Sequence, residues 1–460
     1  MKKIIGTSLP FSSLYSEKNK KYKNGIIDDG ILFLEWLFKT KQHAWQILPI
    51  HETQLIPSSR EHMKSPYKSY GMGIDPRYGN HKPASISKTE IDIFKEKNSY
   101  WLSDYALFCA IRDYYKSDNW LLWEDGIRKY DQHSVLTWEK KLEKEINLHI
   151  QKQYLLHKEY GYLKESATKK NILLIGDMQY YLPLNSPLVW AHQKAFHINN
   201  DNKLINTSGI PYKKGVMYGR QVWGHPLYNW RDTDIYQEII SLFIMRLTYL
   251  ATLYDMVRID HASGFFRYGS INLIDRTKDQ MMSGPGEKAL RDIIKYSKDL
   301  KIKVFAEDAG YDLGDLRISM KSLNIPGVRV LRCAFDEVNK LFIADHAEIQ
   351  KYPQNCVAYT TTHDTETLID YVSRLTTEER KRLSLKLGIA FIENNNEYTS
   401  LLRKTLITSP PKYIIIPLQD WLLTHERINT PGTEKEKGDQ NWQYRMPYAI
   451  EELPILDTKV

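Results

Sequence analysis

Eight short runs of consecutive apolar residues recur along the chain, several of them closing on a polar residue. They span 3–8, 44–49, 172–177, 256–260, 303–307, 328–333, 357–364 and 413–417. Continuous rather than alternating apolar runs suit strands covered on both faces, as in a parallel sheet. Between them the apolar positions shift to helical spacing. Ile31, Leu34, Leu37 and Phe38 mark one face, and Ala289, Ile293 and Ile294 another. A third face, Ile235, Ile239, Leu242, Leu250 and Leu253, follows the cap candidates Asp232 and Thr233. Strands alternating with helices predict an α/β fold, a (β/α)8 TIM barrel.

The spacing is uneven, and this sets the expected domain organisation. The interval between the second and third runs is far longer than the rest, and in it Tyr105, Phe108, Cys109 and Tyr115 form a helical stripe. The reading is one catalytic barrel over 1–460 with a helical insertion at about 80–165. A loop-rich insertion at about 183–231, dense in Gly, Pro and aromatic residues, is expected over the active site. No separate C-terminal β-domain is expected.

Composition narrows the class. The chain of 460 residues is 42% hydrophobic and 26% charged, ordinary for a globular protein with a core. A net charge of +8 is spread over 64 basic and 56 acidic residues. The densest basic cluster, Lys18-Asn19-Lys20-Lys21, reads as a solvated loop, so no nucleic-acid partner is expected. Cys109, Cys333 and Cys356 fit neither a disulfide framework nor a zinc pattern, and read as reduced thiols. Only Ile4 and Ile5 stand between Met-Lys-Lys and Gly6, too few for a signal-peptide core, and no run reaches the roughly 18 apolar residues of a membrane span. A cytoplasmic location with no membrane partner is the expectation. The 31 Tyr and 11 Trp could face sugars or simply fill a core.

The candidate chemistry lies at the strand ends, where barrels carry their active sites. Four runs deliver acids there: Asp177, Asp260, Glu307 and Asp364. One such Asp is often a helix cap. Four converging carboxylates are costly unless a reaction uses them. Glycoside transfer does, because its cation-like transition state is stabilised by nearby carboxylates. One carboxylate attacks the anomeric carbon and a second protonates the leaving oxygen. Arg258, two residues before Asp260 on the same strand face, could keep a nucleophile ionised. His363 could bond a sugar hydroxyl or be an ordinary buried histidine.

These residues are embedded in blocks. Arg258-Ile259-Asp260-His261 with Gly264-Phe265, then Ala306-Glu307-Asp308 and Thr362-His363-Asp364, resemble the three catalytic blocks of the amylomaltases and disproportionating enzymes. These are the 4-α-glucanotransferases of glycoside hydrolase family 77, in the α-amylase clan. Thr7-Ser8-Leu9-Pro10, Ser65-Pro66-Tyr67, Trp223-Gly224-His225-Pro226-Leu227-Tyr228, Pro326-Gly327-Val328 and Asn429-Thr430-Pro431-Gly432-Thr433 resemble further blocks, in order along the whole chain. The resemblance implies Asp260 as nucleophile, Glu307 as acid/base and Asp364 as the carboxylate that steadies the donor sugar. It implies Tyr67, Asp177, Arg258 and His363 around that sugar, with Trp223 and Asn429 beside it and Asp336 as a further glucan contact. It implies no metal and no organic cofactor. The implied partners are maltooligosaccharides, starch- or glycogen-type α-1,4-glucans, and glucose as acceptor. A hydrolase using the same site and a non-enzymatic glucan-binding protein are the alternatives.

The chain also departs from the family pattern. Ala262 and Ser263 stand where an aromatic and an arginine are usual, and Cys333 stands for a usual aromatic. A Leu-Pro-His-Asn block is not visible between Leu341 and Tyr352. The loop that carries a Tyr-Phe pair in the family reads Tyr212-Lys213-Lys214-Gly215-Val216-Met217-Tyr218. The chemistry is therefore expected intact and the grip on substrate altered.

Overall fold

A computed structural model describes residues 3–80, 86–198, 204–212, 219–309, 313–433 and 441–456. All eight apolar runs form strands of one parallel sheet: β1 Ile4–Ser8, β2 Ala44–Gln46, β3 Leu173–Met178, β4 Met256–Ile259, β5 Lys303–Ala306, β6 Gly327–Val330, β7 Cys356–Tyr359 and β8 Tyr413–Pro417. β1 to β5 pair in chain order, as do β6 to β8, and β1 returns to β8, with Ile4 opposite Tyr413. Between β5 and β6 the Ala306 N–H donates to the Pro326 carbonyl at 2.9 Å, which closes the barrel. Ile175, Met256, Phe305, Val328, Val357 and Ile415 pack one core cluster from the strands, as layered barrel interiors require. Gln46 on β2 and Tyr359 on β7 bond across that interior, Oη to Oε1, at 2.7 Å.

Helices Ile27–Lys39, Tyr236–Leu253, Glu287–Asp299 and Gly314–Ser322 follow β1, β3, β4 and β5. Two sequence expectations shift here. Phe38 is exposed, because Ile27, Phe33, Leu34 and Leu37 form the face that meets the barrel. The helix expected after Asp232 and Thr233 begins at Tyr236, with Ile235 before it and no side-chain cap.

Between β2 and β3 lie helices Lys88–Lys97, Ser99–Tyr115, Gln132–Lys141 and Glu143–Lys169. Arg112 on the second of them bonds Glu52 at 2.6 Å, both side chains buried. Burial alone would raise the Glu52 carboxyl, but Arg112 and His62 hold it at about 2 against an ordinary 4.5. The stability this contributes is therefore present above about pH 4.5 and lost as pH falls toward 2. Arg112→Met is expected to lower unfolding free energy by about 3–5 kcal/mol, read by urea titration. A loss below about 1 kcal/mol would mean that water already reaches the pair.

The stretch read as loop-rich carries strands. Asn206–Ile210 and Gln221–Val222 join Arg267–Asn272 and Gln280–Ser283 in a four-stranded antiparallel sheet. Its apolar signal is faint because Gly209 and Gly269 face backbone at distances no Cβ could occupy, 2.2 Å from the Gln221 carbonyl oxygen and 2.1 Å from that of Gly209. Residues 213–218 lie outside the described residues. After β8 the described chain continues as helix Leu418–Leu422, loops and a 3-10 turn, with no further strand. No described helix is long and apolar enough to cross a membrane.

Candidate active site

The carboxylates converge because their strands end at one mouth. Asp177 is the penultimate residue of β3, after Gly176, where a Cβ would meet the Tyr254 ring at 2.3 Å. Asp260 follows β4 directly and its N–H donates to the Met178 carbonyl at 3.0 Å. Glu307 follows β5, its N–H bonded to the Ile259 carbonyl at 3.0 Å. The ladder hydrogen bonds thus place these acids side by side on adjacent strands. Asp364 comes from a loop rather than a strand. β7 ends at Tyr359, earlier than its run, because the Thr360 and Thr361 hydroxyls both donate to Asp420 at 2.5 Å and turn the chain.

Arg258 is the hub. One terminal nitrogen bonds Asp177 at 2.6 Å and Asp260 Oδ1 at 2.9 Å, and the other bonds Glu307 Oε2 at 2.9 Å. The His261 backbone N–H donates to the same Glu307 oxygen at 2.8 Å. His261 achieves this with φ 44, a left-handed conformation uncommon outside glycine and typical of strained functional turns. Asp260 Oδ2 and Glu307 Oε1 take no described hydrogen bond.

Tyr67 and His363 form the opposite wall. The Tyr67 hydroxyl donates to Asp177 at 2.8 Å and lies 3.0 Å from His363 Nε2, and the two rings stack at 5.5 Å. His363 Nε2 is also 3.2 Å from Asp364 Oδ2, while Asn429 donates to Asp364 Oδ1 at 2.6 Å. Trp223 stands edge-on to His261, ring centres 4.9 Å apart. It therefore stands beside the turn whose His261 N–H holds Glu307. The side chains of Asp260, Glu307 and Asp364 are 21%, 24% and 40% exposed, against 0% for Asp177, so these three reach the cleft. Asp177 Oδ1 and Asn429 Oδ1 are buried without a hydrogen-bond partner among the described residues. Buried acceptors are rarely left so.

Of the residues singled out from sequence, Asp336 alone stands apart. Its carboxylate accepts from the Val338 and Asn339 N–H groups and from the Asn339 amide, so it closes its own hairpin turn. No described contact joins it to the cluster. Two residues went unnoticed in the sequence. Trp442 lies tilted over the Tyr67 and His363 rings at 5.6 and 5.8 Å, and Arg427 bonds the Asp364 and Asn429 carbonyls, both at 2.6 Å. A Trp directly after Asn441, soon after the Asn-Thr-Pro-Gly-Thr block, was the available signal for the first.

Electrostatics sharpen the picture. Burial pushes the Asp260 carboxyl well up, Arg258 opposes this, and the neighbouring carboxylates add to it. Arg258 is bonded to Asp260 as expected and lowers its carboxyl against burial, but it is divided among three acids. Burial works on Glu307 too, yet Arg258 and the His261 N–H override it and draw Glu307 below its ordinary value. Asp364 is held at about 2: burial raises it, but His363 and Asn429 outweigh that. With like charges this close, a proton belongs to the Asp260–Glu307 pair rather than to either residue.

An eight-stranded parallel barrel that gathers three carboxylates around one arginine at its mouth, with a fourth beside them, is a barrel enzyme of carboxylate chemistry. The model of the 4-alpha-glucanotransferase family, glycoside hydrolase family 77, matches residues 76–451, and the chain belongs to this family. It is 27% identical over 461 residues to the 4-alpha-glucanotransferase of Aquifex aeolicus, covering 91% of each chain. It is 30% identical to that of Thermus thermophilus, over 77% of this chain and 70% of the relative. Among solved structures, amylomaltase from Streptococcus agalactiae in complex with acarbose shares the fold with a TM-score of 0.80 at 23% identity, over 97% of this chain and 95% of that one.

The Tyr67 ring stacks on His363 while its hydroxyl donates to Asp177. Tyr67→Ala is expected to lower kcat/KM by about 1–3 kcal/mol, measured on maltotriose. A loss as large as that of a catalytic carboxylate would give the Tyr67 hydroxyl a chemical role.

Proposed function

We propose that the protein cleaves α-1,4-glucans and transfers the glucanosyl unit to the 4-hydroxyl of another glucan or of glucose by a retaining double displacement. The observation that supports it best is Arg258 holding Asp260 and Glu307 with the two ends of one guanidinium. So short a bridge suits the ~5–5.5 Å carboxyl separation of retaining enzymes better than the ~6.5–9.5 Å of inverting ones. The same bonds distinguish the oxygens. Asp260 Oδ2 attacks the anomeric carbon while Glu307 Oε1 gives its proton to the departing glycosidic oxygen, which takes the bonding electron pair. In the second half the acceptor hydroxyl passes its proton to Glu307, its oxygen bonds the anomeric carbon, and Asp260 is released as carboxylate.

This chemistry needs Asp260 ionised and Glu307 protonated, whereas burial raises Asp260, and Arg258 with the His261 N–H lowers Glu307. A bound sugar supplies the correction. It sets an electron-poor carbon against Asp260, favouring its charge, and a neutral ether oxygen against Glu307, favouring its proton. Tyr67, Asp177, His363, Asn429 and Asp364 surround the donor sugar, and Asp364, the most exposed of the four carboxylates, receives its hydroxyls. Neither step calls on a metal or organic cofactor. Maltooligosaccharides and starch- or glycogen-type glucans are the proposed substrates, supported by the family's shared activity. A cytoplasmic location is in keeping with three cysteines that form no disulfide.

Transfer exchanges one α-1,4 bond for another, so maltotriose should yield glucose and longer maltooligosaccharides with little net rise in reducing ends. Trp223→Ala should raise the hydrolysed share, because the wall that excludes water on the acceptor side is thinned. Separation of products by length with a reducing-end assay checks both. Reducing ends rising in step with substrate loss in the unaltered protein would make it a hydrolase.

A further inference from the structure

The residue after Tyr67 reaches across the cleft. Tyr67 and Lys68 share the 3-10 turn Pro66–Lys68, whose backbone is pinned by Gln54 N–H donating to the Lys68 carbonyl at 2.9 Å. From that turn the Lys68 ammonium donates to the Trp223 carbonyl. Trp223 is anchored from its own side, its N–H on the Ser208 carbonyl at 2.9 Å and its indole N–H on Gln221 at 2.8 Å. Gly224 follows with φ 79, the left-handed region, and even a Cβ there would lie 3.5 Å from the ammonium. His225, next along, is kept neutral by burial first and by the Lys68 charge second. One lysine thus links the wall carrying Tyr67, on the donor side, with the wall carrying Trp223, beside His261 and Glu307.

We propose that Lys68 is a positioning residue that holds the Trp223 wall in register with the donor sugar, and so sets how the glucosyl-aspartate divides between a sugar hydroxyl and water. The inference rests on the double displacement proposed above. The leaving glucan departs on the acid/base side and the acceptor enters there, so the surface next to Glu307 decides whether an oriented hydroxyl or solvent arrives. Backbone bonds fix each wall separately. The charge-assisted bond from Lys68 is the described link between them, and such bonds are among the stronger ones in proteins. Its loss frees Trp223 to move relative to Tyr67 without removing any group that touches the reacting atoms.

The test compares the unaltered protein with Lys68→Met and Lys68→Arg on maltotriose, counting reducing-end gain per glycosidic bond cleaved. Lys68→Met should raise that ratio on the order of 10-fold or more, and Lys68→Arg, which keeps a charged donor, should largely restore it. A purely structural role would lower transfer and hydrolysis together and leave the ratio unchanged, and that result overturns the proposal. So does a Lys68→Arg ratio equal to that of Lys68→Met. If Lys68→Met does not fold, Lys68→Gln, which keeps a neutral donor, takes its place under the same criteria. Failure of the unaltered protein to lengthen maltotriose at all would instead overturn the transferase reading.

Discussion

Asp260→Asn is expected to abolish turnover on every donor, natural or activated. An amide oxygen is a poor nucleophile, and nothing else described at the site presents an unbonded carboxylate oxygen on the end of β4. The loss should be on the order of 10⁴-fold or more in kcat, because a covalent step is removed rather than weakened. Folding should survive, since the Asp260 side chain is 21% exposed and its one described ion pair is with Arg258, which keeps Asp177 and Glu307. Single-turnover assays with circular dichroism on the same sample separate the two effects. Near-normal activity in a folded Asp260→Asn would remove Asp260 from the nucleophile's role.

Glu307→Gln should discriminate between donors. With a glucan donor the leaving oxygen needs a proton, and the loss should be about 10²–10⁴-fold. With a donor whose leaving group departs unprotonated, the glucosyl-aspartate should still form and then accumulate, because activation of the acceptor also fails. The pH profile supplies a second readout. Asp260 is raised first by burial and further by the charge of Glu307, with Arg258 opposing. Removing that charge lowers the Asp260 pKa, so on an activated donor the acidic limb of kcat/KM should move to lower pH. The basic limb, which reports loss of the pair's proton in the unaltered enzyme, should disappear. An unchanged basic limb would place that ionisation outside the pair.

Legibility differed from element to element. The eight barrel strands stood out in the sequence because strands buried on both faces must be apolar throughout, and helices covering them must repeat their apolar residues every turn. The acids at the ends of β3, β4 and β5 were readable for the same reason, each being the polar residue that stops an apolar run. Asp364 was read as the end of the 357–364 run, but the strand stops at Tyr359, because Thr360 and Thr361 bond Asp420 and turn the chain before it. The antiparallel sheet around Gly209 and Gly269 stayed hidden, because residues chosen for close backbone approach carry no apolar pattern.

What the amino-acid order by itself determined is the barrel and the identity of the acids at its mouth. These follow from local periodicity and from residue type at chain positions that the ladder must align. Tertiary structure alone decided how the acids share their charge. Arg258 could be placed on the right strand face from sequence, but its division among Asp177, Asp260 and Glu307 depends on three strand ends meeting within reach of one guanidinium. The same holds for Trp442 and Lys68, drawn to the site from distant segments. Hydrogen bonds of this kind depend on distances of a few ångströms between residues remote in the chain, and no one-dimensional pattern records such distances.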